Sequence, residues 1–103
     1  MAFSIGVNNN KEKSAWEIKL SGEVDISNAH LLKQQLDSSL AEAMQNIEID
    51  AESLSYIDST GLGVIIGTYG AIKKEGLWVK VANPRPNIKK LLNISGLEKV
   101  LCQ

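Results

Sequence analysis

The chain has 103 residues, 44% hydrophobic and 22% charged, enough for one folded domain over residues 1–103 and too apolar for disorder. Eleven basic residues against twelve acidic ones give a formal net charge of -1, so the chain has no excess of basic charge to hold a polyanion, and neither nucleic acid nor a membrane is an expected partner. One Cys (Cys102) and one His (His30) exclude an internal disulfide and a Cys/His zinc site, and no metal or cofactor is expected.

Met1-Ala2-Phe3-Ser4 has neither the basic start nor the apolar stretch of a signal peptide, so a soluble, cytoplasmic protein is expected. Phe3, Ile5 and Val7 alternate with Ser4 and Gly6, and Trp16, Ile18 and Leu20 alternate with Glu17, Lys19 and Ser21. The turn formers and charges of Asn8 to Lys13 lie between, which predicts a hairpin with one buried face. Beyond Gly22 the period becomes helical. Ser27 is the expected cap, with Ile26 and Leu31 as its hydrophobic staple, and Ala29, Leu32, Leu36, Leu40 and Ala43 form the apolar face.

Asn46 to Asp50 reads as a short strand with Ile47 and Ile49 inward. A second helix follows Leu54-Ser55-Tyr56-Ile57, its stripe made of Leu62, Ile65, Ile66, Tyr69 and Ile72. Its weakly polar run, Gly61 to Ile72, is far short of the ~20 residues of a membrane-spanning helix. Gly76 ends it after Lys73 and Lys74, and Leu77, Val79 and Val81 form a third strand pattern. Pro86 suits the first position of a last full helix, whose stop is Gly96, and Val100 and Leu101 add a short element. Trp16 and Trp78 are expected in the core or on a sheet face. Alternating strands and helices predict an α/β fold: a small, mostly parallel sheet of four to five strands, an antiparallel amino-terminal edge, and helices packed on it.

Residues 57–67, Ile-Asp-Ser-Thr-Gly-Leu-Gly-Val-Ile-Ile-Gly, stand out on physical grounds. Asp58 is the expected helix cap, with Ile57 and Leu62 as its staple and the hydroxyls of Ser59 and Thr60 in the first turn. A phosphate on Ser59 could be held there by backbone amides and the positive end of the helix. Gly63, Gly67 and Gly70 each cost about 1 kcal/mol against Ala inside a helix. Internal packing is the expectation at Gly67 and Gly70, whereas at Gly63 packing and close approach of a partner stand level.

Asp58-Ser59-Thr60-Gly61-Leu62-Gly63-Val64 resembles the Asp-Ser-Ser/Thr-Gly-Leu-Gly signature of the STAS domain (sulfate transporter and anti-sigma factor antagonist). Ser21-Gly22-Glu23-Val24-Asp25 is similar to the family's Gly-Glu-Leu-Asp turn, and residues 91–97 are similar to its last helix. The chain looks like the short stand-alone anti-sigma factor antagonists of sporulation and stress regulation.

That resemblance implies a cycle. The unmodified form binds an anti-sigma factor, a serine kinase of ATPase fold, and a sigma factor is released. The kinase phosphorylates Ser59 and the complex dissociates, and a metal-dependent serine phosphatase resets the cycle. Asp25 matches the family's acidic residue beside the phosphorylated Ser. The partner-binding surface is then expected at Asp25, Asp58, Ser59, Thr60, Gly61, Leu62 and Gly63, with Thr60 a second candidate acceptor, on a chain that is a monomer when free.

Other readings are weaker. An enzyme with Ser59 as nucleophile and His30 as base lacks Gly-x-Ser-x-Gly, no P-loop pattern is present, and no catalytic residue is expected. A STAS scaffold docked on a transporter or another multiprotein complex, without a kinase cycle, is the alternative. Lys89 and Lys90 are expected to be a solvated helix face.

Overall fold

The computed structural model describes residues 3–101. Strands β1 (Ser4–Asn10), β2 (Ala15–Val24), β3 (Asn46–Ile57) and β4 (Val79–Ala82) form one sheet in the order β1-β2-β3-β4. β1 pairs antiparallel with β2, while β2–β3 and β3–β4 are parallel. Helices α1 (Ala29–Glu42), α2 (Ser59–Ile72), α3 (Pro86–Ile94) and α4 (Glu98–Leu101) supply the connections and the packing layer. The sheet has four strands, at the lower end of the expected range.

Alternation along the strands sets the layers. Trp16, Ile18, Leu20 and Val24 of β2, Ile47 and Ile49 of β3 and Val79 and Val81 of β4 are buried against Leu32 and Leu36 of α1, Leu62 and Ile65 of α2, and Ile88 and Leu92 of α3. The intervening Glu17, Lys19, Glu48, Asp50 and Lys80 turn the other way, and the register aligns Asn8, Glu17, Glu48 and Lys80 across the four strands. Parallel sheets are commonly apolar on both faces. Here one face meets the helices and the other is polar and reaches water. Trp16 anchors the layers through a 2.9 Å hydrogen bond from Nε1 to the Ala43 carbonyl at the end of α1.

The third strand is longer than the short segment expected. Two register shifts against β2 let its 12 residues pair with 10, so the inward positions step from Ala51 to Leu54 to Ile57 in threes. A bulge breaks the two-residue period by which a strand is recognised. The fourth strand starts at Val79 and omits Leu77. Trp78 is 37% exposed, with the Lys80 ammonium 5.3 Å from its ring centroid.

The start of α1 also differs. Asn28, not Ser27, precedes the first helical residue, and no side chain caps the helix. Ser27 instead donates its amide and hydroxyl to Asp25 Oδ1, at 2.9 and 2.5 Å. Ile26 is 80% and Leu31 42% exposed, so the predicted staple is not made. The Asp25 carbonyl accepts from the amides of Asn28 and Ala29, which keeps Ser27 inside the turn, one residue short of the cap position. Along α2 the buried stripe is Leu62, Ile65, Thr68 and Ile72, and Ile66 faces water. Pro86 opens α3, and Gly76 and Gly96 adopt left-handed conformations at the ends of their helical segments. Among the described residues no helix is long and apolar enough to cross a membrane.

Candidate functional site

The site lies at the carboxyl-terminal end of the two central strands. Val24 and Ile57 are register partners, so the loops that follow β2 and β3 emerge side by side. The Asp58 amide donates to the Val24 carbonyl at 3.1 Å, extending the ladder by one bond. Asp58, extended at φ -100° and ψ -176°, is then the cap of α2, as its sequence position predicts.

Its carboxylate has three partners. Oδ1 accepts from the amides of Thr60 (2.9 Å) and Gly61 (3.1 Å), and Oδ2 accepts from the amide of Ile26 (3.2 Å). One side chain therefore fastens the start of α2 to the loop after β2. The Gly61 amide foremost holds the carboxyl below its ordinary range; partial desolvation opposes this, and the Thr60 side chain and the Thr60 and Ile26 amides reinforce it.

The capped amides are the ones a phosphate on Ser59 would have used. With Asp58 on Thr60 and Gly61, and the Leu62 amide bonded to the Asp58 carbonyl at 3.0 Å, three of the first four amides of α2 already have acceptors. Asp25 sits on the adjoining loop, half-buried, its Oδ1 holding Ser27 while its amide donates to Asn28 Oδ1 at 2.9 Å. Asn28 also donates through Nδ2 to the Glu23 carbonyl at 2.9 Å, which closes the turn.

The other expected site residues divide by depth. Ser59, Thr60 and Gly63 are exposed, whereas Gly61 and Leu62 are buried. A Cβ at Gly61 would lie 2.6 Å from Ile57 Cγ1 and 2.7 Å from Val24 Cγ1, so glycine lets α2 rest on the strand ends. Leu62 and Ser59 line a groove of about 560 Å³ that Tyr56, Asn87, Ile88 and Leu91 complete.

The internal-packing expectation for Gly67 and Gly70 fails. A Cβ at Gly63, Gly67 or Gly70 would meet nothing within 4 Å, because the packed stripe of α2 runs along a different flank. Gly63 and Gly67 instead line a groove of about 400 Å³ between α1 and α2, with Thr60, Lys33 and Asp37. Sequence reasoning missed Ile26 and Tyr56 as surface features. Their exposures of 80% and 47% arise from loop and bulge geometry that hydrophobic pattern does not encode. Among the described residues no group of three His, Cys, Asp or Glu could hold a metal ion.

The model of the STAS domain matches residues 7–102. The chain belongs to the STAS domain family. This STAS domain is 33% identical over 99 residues to the anti-sigma-B factor antagonist of Bacillus subtilis (strain 168), covering 96% of the chain and 90% of that protein. It is 33% identical over 85 residues to the anti-sigma F factor antagonist of Paenibacillus polymyxa, covering 82% and 73% respectively. Its fold matches that of the Bacillus cell fate determinant SpoIIAA in the phosphorylated form, with a TM-score of 0.68, 22% identity, and coverage of 97% of this chain and 88% of that one.

Proposed function

We propose that this STAS domain is an anti-sigma factor antagonist, acting in the cytoplasm through binding rather than catalysis. In its unmodified form it binds an anti-sigma factor of ATPase fold, a serine kinase, and so frees a sigma factor. Phosphorylation of Ser59 ends that binding, and a serine phosphatase restores it. The relatives named as anti-sigma factor antagonists support the reading. The observation that carries it is the exposed Ser59, first residue of α2, directly after the capping Asp58.

The switch is local, made by the charge, bulk and bound water of one phosphate. A phosphoserine adds about -1.5 to -2 of charge, beside Asp58 and on the same sheet end as Asp25. Because Asp58 occupies the Thr60 and Gly61 amides, the phosphate projects from the surface instead of folding into the helix start. A dianion in the centre of an interface is bulky and keeps its own water, and both oppose docking. A loss of about 3 kcal/mol weakens a complex more than a hundredfold.

The test uses immobilised wild-type, S59A and S59D chains with lysate of the source organism, followed by mass spectrometry of what is retained. An ATPase-fold kinase held by wild type and S59A and lost with S59D is the expected result. The purified kinase with ATP should then phosphorylate Ser59. Retention of one non-kinase protein by all three chains would overturn the cycle and favour a scaffold role.

A further inference from the structure

We infer that Ile26 is a preformed apolar anchor for the protein that engages Ser59, and that the partner receives it in an apolar pocket rimmed by basic side chains. The inference rests on the function proposed above and names the chemistry of that partner's surface. Ile26 has the highest exposure, 80%, among the large exposed hydrophobic residues described. It is not a frayed position. Its amide is tied to Asp58 Oδ2 at 3.2 Å, its neighbours Asp25 and Ser27 are bonded to each other, and Asn28 closes the turn onto Asp25 and Glu23.

Order matters because a backbone already held in place loses little freedom on binding. Position matters equally. The Ile26 amide is bonded to the residue immediately before Ser59, and a stable interface covers about 800 Å² on each partner. A protein surface of that size centred on Ser59 also covers Ile26, and Tyr56 lines a groove with Ser59.

The charge around the anchor indicates what surrounds the pocket. Glu23, Asp25 and Asp58 flank Ile26 in sequence and through the Asp58 bond, and none of the three takes part in an ion pair among the described residues. Three carboxylates without a cation around one isoleucine are complementary to a basic rim around an apolar pocket. A phosphate on Ser59 would then sit at the edge of that rim, where its charge is attracted, so its opposition to binding comes from bulk and retained water.

The experiment is calorimetric titration of the purified ATPase-fold anti-sigma factor of the source organism with wild-type, I26S and M44S chains. Met44 is also an exposed apolar residue, 56% accessible, at the opposite end of the sheet. I26S is expected to weaken binding about thirtyfold, equivalent to about 2 kcal/mol at 1.4 kcal/mol per tenfold, with an unchanged urea midpoint. M44S should bind within about twofold of wild type. Raising the salt concentration should weaken wild-type binding, and binding indifferent to salt would overturn the basic rim.

I26S binding within about twofold of wild type would overturn the inference while leaving the proposed function in place. Equal losses in I26S and M44S would also overturn it, since the effect would then not belong to the anchor. A wild-type chain that does not bind the anti-sigma factor would overturn the proposed function and this inference together.

Discussion

In the G61A variant a methyl group would enter a space bounded by two buried β-branched side chains. The added carbon would lie 2.6 and 3.0 Å from two carbons of Ile57 and 2.7 Å from Val24 Cγ1, where ordinary contact begins near 3.4 Å. Neither neighbour can swing aside, because Val24 is 0% and Ile57 3% exposed. Overpacking of this kind costs about 1–3 kcal/mol, and the double contact places it in the upper half of that range. Alanine returns about 1 kcal/mol of helix propensity, which leaves a net loss of about 1–2 kcal/mol.

The same substitution at Gly67, two turns along, meets nothing within 4 Å and keeps only the gain. G61A and G67A should therefore differ by about 2–3 kcal/mol with opposite signs against wild type. At roughly 4–8 °C per kcal/mol for a domain of this size the two melting temperatures separate by about 8–24 °C. Urea unfolding followed by tryptophan fluorescence, with thermal melts beside it, measures both. A G61A chain as stable as wild type, or a destabilised G67A, would refute the account of how α2 is seated.

Acid should weaken the site through Asp58, whose carboxyl is held below its ordinary value of 3.8. A depressed carboxylate adds stability above its unfolded pKa and loses it as pH falls through the folded one. Urea midpoints measured below about pH 4 should therefore fall more steeply in wild type than in D58N. Glu17, lowered chiefly by hydrogen bonds from Asn8 and then Asn10, leaves D58N some residual acid dependence. W16F should lose about 1–2 kcal/mol, because the Ala43 carbonyl at the end of α1 is left without its side-chain donor. Equal urea midpoints for W16F and wild type would show that water replaces the indole there.

What the sequence made legible follows from where side-chain pattern and backbone need agree. Trp16, Ile18 and Leu20 alternate and are buried; Pro86 and Gly96 bound their helix; Asp58 caps α2 with the bonds its position implies. The full length of β3 was hidden because its bulges change the spacing of Ala51, Leu54 and Ile57 from two to three. Ser27 was misplaced as a cap because a turn closed on the Asp25 carbonyl delays the helix to Ala29, a local geometry that residue spacing does not show. Ser59, Thr60 and Gly63 lie on the surface, but the glycines of α2 look alike in sequence. Only the packing separates Gly61, pressed on Ile57 and Val24, from Gly67 and Gly70 beside open space.

The polar side of the sheet gives the protein a freedom that a doubly covered sheet lacks. Asn8, Glu17, Glu48 and Lys80 form a row whose members answer to water and to each other, not to the core. Exchanging an acid for a base along that row alters the charge of the molecule by two units while every buried contact stays as it was. Related chains sharing this architecture can thus drift in isoelectric point, and in their tendency to meet other acidic proteins in a crowded solution, without renegotiating the fold.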